Sequence, residues 1–461
     1  MTRLVRRAYL YGIAVLTALG AIAFAASPGL ARDVGPPKDA DALARWIAMH
    51  PADWVAASAM TELALDTSVP QRIELWHASY ELADRLAPRR PNVPAAFMRA
   101  GLFHWSELDA SDRKQVLDAA APLLREPVVF SRLYSHLFDL THDFAYLRRN
   151  APATREALSW LSELAVTNGL FHEYRELREA ERRERWNAFQ KMSPTAHSTE
   201  LIDLLPPHLD ARDEPLVRAL LSALERAPFD AQRTSRNAES LALYAMRNRV
   251  QPLESLAPLI ETQGGLSEPT RARLALAIGN VGLASKAEIT NSTRTPEWAP
   301  YHLERALYEA RTGDRAIAEA YLTRAALIRI DVSGLSTAEQ IARLIGKTDD
   351  AARYHAKLLE EARAPRQWTE TCSENELCER ALTTQYVPDT ERMIRITANV
   401  VQSDQTPPYL EVYVDDALVN EGAVRNAAIF EMPTTPGLHR VEVRLVNRWT
   451  RNRIQRRVRL S

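Results

Sequence analysis

At 461 residues with 46% hydrophobic content, the chain has length for two or three domains that each bury a core, which excludes a mainly disordered protein. Its formal net charge of -1 with 25% charged residues excludes recruitment to nucleic acid or anionic membrane by bulk charge. Any binding polarity must be local.

The chain opens with Arg3, Arg6 and Arg7 ahead of an uncharged run from Ala8 to Ala26, the pattern of an export signal. A helix over residues 8–26 spans about 28 Å, close to the hydrocarbon core of a bilayer. Small residues at Ala23-Phe24-Ala25 and Gly29-Leu30-Ala31 also suit a signal peptidase. Residues 1–32 are therefore read as a cleaved signal peptide or a retained single-pass inner-membrane anchor. In both cases the remainder is expected in a bacterial periplasm.

Residues 39–365 read as one helical-repeat domain. Leu43, Trp46 and Ile47 share a helical face, as do Ile73, Trp76 and Tyr80. Pro- and Gly-marked turns such as "APRRPNVP", "RNAPAT" and "GGLSEPT" separate such stretches. Near the end, "ALYEARTGDRAIAEAYLTRAAL" and "ARLIGKTDDAARYHAKLLEEA" align at an offset of 33, matching Gly313 with Gly346, Ala318 with Ala351 and Tyr321 with Tyr354. Over residues 299–365 this resembles tetratricopeptide repeats, whose period is near 34, with Ile330 where that family carries a proline. The resemblance implies stacked helical hairpins, an α-solenoid presenting an extended binding surface.

Cys372 and Cys378 are the chain's two cysteines. In an oxidising compartment they read as a disulfide within a connector, residues 366–388. Zinc needs four ligands, and no histidine lies between His355 and His439. In the domain that follows, residues 389–461, the period changes to two from about Met393: Ile394, Ile396, Ala398 and Val400 share a face, then Leu410, Val412 and Val414. Asp415-Asp416 marks a tight turn, and the strands to residue 461 read as a small antiparallel β-sandwich. The expected fold is thus mainly α, an α-solenoid followed by a β-sandwich, after an N-terminal signal or anchor helix.

The last 25 residues carry eight arginines against one acid, Glu442. Val441, Val443 and Leu445 alternate with Arg440, Glu442 and Arg444, while Ile454, Val458 and Leu460 repeat the inward set with Arg457 and Arg459 outward. Two readings stand side by side: a solvated sheet face whose charges deter edge aggregation, or a basic strip for an acidic sugar, a phosphate or a partner.

"YLEVYVDDALV" followed by "GLHRVEVRLVN" resembles the calcium-dependent xylan-binding carbohydrate modules, through Val412, Val414, Asp415, Gly437, His439, Val441, Val443 and Asn447. The resemblance implies a shared sandwich and glycan binding. Arg448 stands at the aspartate position of that pattern, which opposes calcium, so no metal and no other cofactor is expected. The candidate glycan- or partner-binding residues are Arg440, Arg444, Asn447, Arg448, Trp449, Arg457 and Arg459.

Elsewhere, His136, Asp139, His142 and Asp143 cluster in sequence, read as a metal or acid–base site or as a buried polar contact between helices. "HEYRELREAERRERWNAFQK" reads as an exposed helix laced with ion pairs, or as a docking surface. Asn291 is formally a glycosylation acceptor. No nucleophile elbow, phosphate loop or His-Glu-x-x-His appears. The expectation is a non-enzymatic binding or scaffold protein of the cell envelope, with an envelope protein or polysaccharide as partner, no nucleic acid, and a role in surface-polysaccharide assembly. The alternative is a glycan-acting enzyme, lytic transglycosylase- or glycosidase-like, with carboxylates in the helical cleft.

Overall fold

The computed structural model of the protein describes residues 36–461, apart from 194, 230–234, 262–264, 290–294, 329, 365–366, 374, 389–390 and 451–452. The signal or anchor segment, Asn291 and Arg451 lie outside the described residues. Among the described residues, no helix is long and apolar enough to cross a membrane.

Among the described residues, nineteen α-helices precede eight strands, and these residues divide into two compact units, with the boundary between Leu161 and Ser162. The first contains α1 (Ala40–Met49), α2 (Trp54–Leu63), α3 (Arg72–Leu86), α4 (Asn92–Phe103), α5 (Ala110–Leu123), α6 (Pro127–Thr141) and α7 (Phe144–Asn150). After α8 (Arg155–Thr167), the second has α9 (Phe171–Lys191), α10 (Ser198–Ile202), α11 (Glu214–Leu224), α12 (Ala238–Asn248), α13 (Ala257–Glu261), α14 (Glu268–Ala277) and α15 (Val281–Ile289). Then come α16 (Ala299–Thr312), α17 (Arg315–Ala326), α18 (Val332–Leu344) and α19 (Thr348–Arg363).

Local chemistry explains many starts and stops. The side chains of Asp39, Asp53, Asp109, Asp143, Asp314 and Asp331 each accept a first-turn backbone N–H, satisfying donors that have no partner inside the helix. Gly313 and Gly346 adopt φ of +102° and +83°, the left-handed conformation that lets α16–α17 and α18–α19 each fold into a hairpin. The repeated Ala318 and Ala351 are both buried in the core these hairpins share. In the first unit, Trp76 of α3 stacks on Phe97 of α4 with ring centroids 4.0 Å apart.

The strands are β1 (Glu376–Leu377), β2 (Arg380–Val387), β3 (Met393–Gln402), β4 (Tyr409–Val414), β5 (Ala417–Ala423), β6 (Ala427–Pro433), β7 (Gly437–Leu445) and β8 (Arg457–Leu460). They form two antiparallel four-stranded sheets, β2-β7-β4-β5 and β1-β8-β3-β6. One face of each contributes to a common core that includes Ile394, Ile396, Leu410, Val412, Val441, Val443, Val458 and Leu460. Strands β1 and β2 lie in the stretch read as a connector, so the sandwich begins before residue 389. Cys372 and Cys378 form a disulfide pair with Cα atoms 5.5 Å apart. Asp415 and Asp416, at φ of 50° and 66°, make the tight turn joining β4 to β5.

Period two tells which residues alternate, but not what each face meets. All six residues of β4 are buried. The sheet β2-β7-β4-β5 is therefore covered on both faces, by the sandwich core on one side and by helices of the same unit on the other.

Candidate functional site

Helix α9 is the main element on that covered face. Tyr174, Leu177, Glu181 and Arg185 recur at three- and four-residue spacing and are all buried. Phe171 stacks on Tyr409 of β4 at 4.4 Å, and the Tyr174 hydroxyl donates to Glu411 Oε1 at 3.0 Å. Tyr413 donates to the other oxygen, Oε2, at 2.6 Å. Burial and the Glu411 carboxylate hold both phenols well above the ordinary tyrosine range. The helix expected to stand in solvent does carry its ion pairs, among them Arg178–Glu181 at 2.6 Å, but one face packs against the chain's own sandwich.

On the same sheet face, Glu442 is 1% exposed and gathers three arginines. Its Oε1 accepts from Arg380 Nε at 2.8 Å and from Arg444, and its Oε2 accepts from Arg440 at 3.0 Å. Register puts Arg380 directly opposite Arg444, a like-charge pair that would be destabilising without the carboxylate between them. Burial alone would raise the Glu442 carboxyl, yet Arg444 and Arg380 more than reverse it and bring it down to about 2. Arg444 also lies over the Tyr413 ring at 4.2 Å.

A second ionic centre ties the β4–β5 turn to helix α12. The Asp416 carboxylate accepts from Arg247 Nε at 2.8 Å, Asn248 Nδ2 at 3.0 Å and Arg440 Nη1 at 2.7 Å. The Ala211 backbone N–H donates to the Asp416 carbonyl at 2.8 Å.

The seven candidate residues thus occupy four places. Arg440 and Arg444 face the helices and are neutralised there, so neither the solvated face nor the open basic strip describes them. Asn447, 1% exposed, is a junction residue: its Oδ1 accepts from the Tyr409 N–H at 2.7 Å and its Nδ2 donates to the Pro407 carbonyl at 2.8 Å. Half-buried Arg448 and exposed Trp449 form a corner, the guanidinium 5.1 Å from the ring centre, with Arg448 also paired to Glu379. Arg457 and Arg459 lie on the second sheet beside Glu376, at 3.8 and 3.4 Å.

Arg456 was not singled out in the sequence because it reads as one more cation in a basic run. Its side chain is fully buried. It donates to the carbonyls of Asn447 at 2.7 Å, Trp449 at 2.6 Å and Thr406 at 3.1 Å, and pairs with Asp404 at 2.9 Å.

A cleft of about 350 Å³ opens beside α9, lined by Glu179, Arg182, Arg183, Arg185, Trp186, Asn187, by Arg212 and Asp213 just ahead of α11, and by Pro215 and Leu216 in its first turn. Arg182 bonds Glu179 at 2.9 Å and Asp210 at 3.2 Å, and Arg212 bonds Asp210 through Nη2 at 2.8 Å. Burial and the neighbouring Asp210 raise the Asp213 carboxyl. Asp213 Oδ2 accepts the Asp210 backbone N–H at 3.1 Å, closing a capping box. Arg183 is exposed. The sequence signal for this cleft was present in "RRERWN", where Arg183, Trp186 and Asn187 share a helical face.

The other sequence cluster does not assemble into a site. His136 and His142 are exposed rather than buried between helices; His142 ends α6 in a left-handed conformation and Asp143 caps α7. Among the described residues, no three His, Cys, Asp or Glu side chains are placed to hold a metal ion. No protein-family model matches the chain, and no curated protein matches it.

Proposed function

We propose that this is an exported, non-enzymatic binding or scaffold protein of the bacterial cell envelope. In this reading, tetratricopeptide-like hairpins and a sandwich similar to carbohydrate-binding modules together hold a glycan or protein partner during surface-polysaccharide assembly. The periplasmic setting rests on the N-terminal sequence pattern and is in keeping with the paired cysteines. Nucleic acid is not an expected partner, given the near-zero net charge.

The observation that carries the reading is the cleft beside α9, where guanidinium groups and an indole meet an apolar wall of Pro215 and Leu216. Such a mixture of a flat apolar surface and few polar groups suits recognition. The Arg448–Trp449 corner is a second element of the same character.

The enzymatic alternative is favoured by one observation: Glu179 and Asp213 both line the cleft, and a raised carboxyl is what a general acid needs. Against it, Arg182 is paired to Glu179 at 2.9 Å and lies 3.7 Å from Asp213, while Asp213 is engaged as a cap.

The test is the full chain on an array of acidic and neutral bacterial glycans, with and without chelator, beside Trp449→Ala and Asp213→Asn. Chelator-resistant binding without release of sugar is expected. Cleavage that Asp213→Asn abolishes would replace the reading with a hydrolase. Silence across the array would remove glycan from it and leave protein partners.

A further inference from the structure

We propose that the cleft beside α9 is a binding site for a carboxylate-bearing sugar residue, such as a hexuronate unit of an acidic glycan, with Arg183 as the carboxylate-recognising group and Trp186 as the ring platform. The proposal deepens the binding reading above and rests on it.

The one lining arginine left without a carboxylate partner among the described residues sets the sign of the ligand. Four arginines and two carboxylates line the cleft, and Asp210, 3% exposed, sits behind them. Arg182 and Arg212 are held by Asp210, and Arg185 by Glu181. The charge of these three is matched by Glu179, Glu181, Asp210 and Asp213, and their donors are largely committed.

Arg183 differs from them. It is exposed and lines the cleft, with no hydrogen bond or ion pair to another described residue. A free planar guanidinium offers two parallel N–H donors that match a carboxylate. Three positions on, Trp186 is 37% exposed, and four positions on, Asn187 is exposed. On a helix these three side chains are neighbours. An indole face suits the C–H face of a pyranose, and an amide that both donates and accepts suits adjacent hydroxyls.

Size argues for a sugar unit rather than a peptide segment. At about 350 Å³ the cleft is near the lower end of ligand pockets, roughly 300–1,000 Å³. An acidic peptide would use the guanidinium but has no need of an aromatic platform beside an amide.

The experiment is isothermal titration calorimetry of the full chain with trigalacturonate and with neutral galactotriose, repeated for Arg183→Ala, Arg183→Lys, Trp186→Phe and Trp449→Ala, with circular dichroism as the folding control. Saturable binding of trigalacturonate, with galactotriose much weaker, is expected. Arg183→Ala should weaken it at least about tenfold, and Arg183→Lys should rescue it only in part. Equal binding of the neutral sugar, or undiminished binding by folded Arg183→Ala, would overturn the proposal. So would a glutamate-rich peptide that competes as well as the trisaccharide, which would assign the cleft to acidic peptides. Trigalacturonate binding lost in Trp449→Ala but kept in Arg183→Ala would leave the binding reading standing and move the site to the sandwich corner.

Discussion

Glu442 carries three arginines on one carboxylate, and removing it would leave Arg380, Arg440 and Arg444 facing one another in a covered space. Breaking a buried pair by deleting one partner costs about 3–5 kcal/mol, so Glu442→Gln should lower the urea midpoint by a corresponding amount at neutral pH. The carboxyl lies near 4.5 when free and about 2 when folded. Because the folded value is the lower one, its contribution is fully present above pH 4.5 and fades as pH falls toward 2. That contribution is about 3 kcal/mol. Acid titration of the melting temperature should therefore show a shallower fall in Glu442→Gln than in the wild type. Arg456 invites a parallel test. Its fork reaches four carbonyls and Asp404, a geometry that a lysine ammonium does not reproduce. Arg456→Lys should lose most of what Arg456→Ala loses, read by thermal denaturation; near-complete rescue would mean that charge, not geometry, is what matters there.

Helix α9 shows how an element can be recognised while its environment is misjudged. Its mean composition is polar, and acid–arginine pairs at helical spacing describe a solvated helix equally well. What distinguishes it is the stripe Tyr174, Leu177, Glu181 and Arg185, half apolar and half charged, which can be buried only because β4 and neighbouring helical charges supply partners. Helix α4 is the opposite case, legible from apolar spacing but dependent on a glycine for close approach. A Cβ at Gly101 would stand 2.3 Å from Val116 Cγ2 and 3.1 Å from the Trp76 ring. Alanine normally favours a helix over glycine, but here the overpacking dominates and Gly101→Ala should destabilise by roughly 1–3 kcal/mol. A chemical-denaturation curve checks the sign.

In the molecule as a whole, the sandwich and the helices of residues 162–461 belong to one compact unit. Asp416 and Arg247, 169 positions apart, should therefore couple. A double-mutant cycle with Asp416→Asn and Arg247→Ala is expected to give an interaction energy of about 1–2 kcal/mol. Amide exchange should show α9 and β4 losing protection together in the Asp416→Asn variant. Independent loss, with α9 unaffected, would mean that the sandwich and helices behave as separate folding units.

The sequence by itself determined the helical hairpins around Gly313 and Gly346, the change to period two near residue 393 and the inward set of the sandwich apart from Ile454, which is exposed. Each depends on backbone geometry and on apolar spacing along a few consecutive residues. Only the tertiary structure decided that β1 and β2 join the sheets and that Arg440 and Arg444 face helices while Trp449 is exposed. It also decided that Arg183 stands apart from its paired neighbours in the cleft. The physical reason is that alternation fixes the direction of a side chain but not what lies in that direction. Whether an arginine meets water, a carboxylate or an open cleft depends on how separate elements pack, as where Arg247 meets Asp416 from 169 positions away.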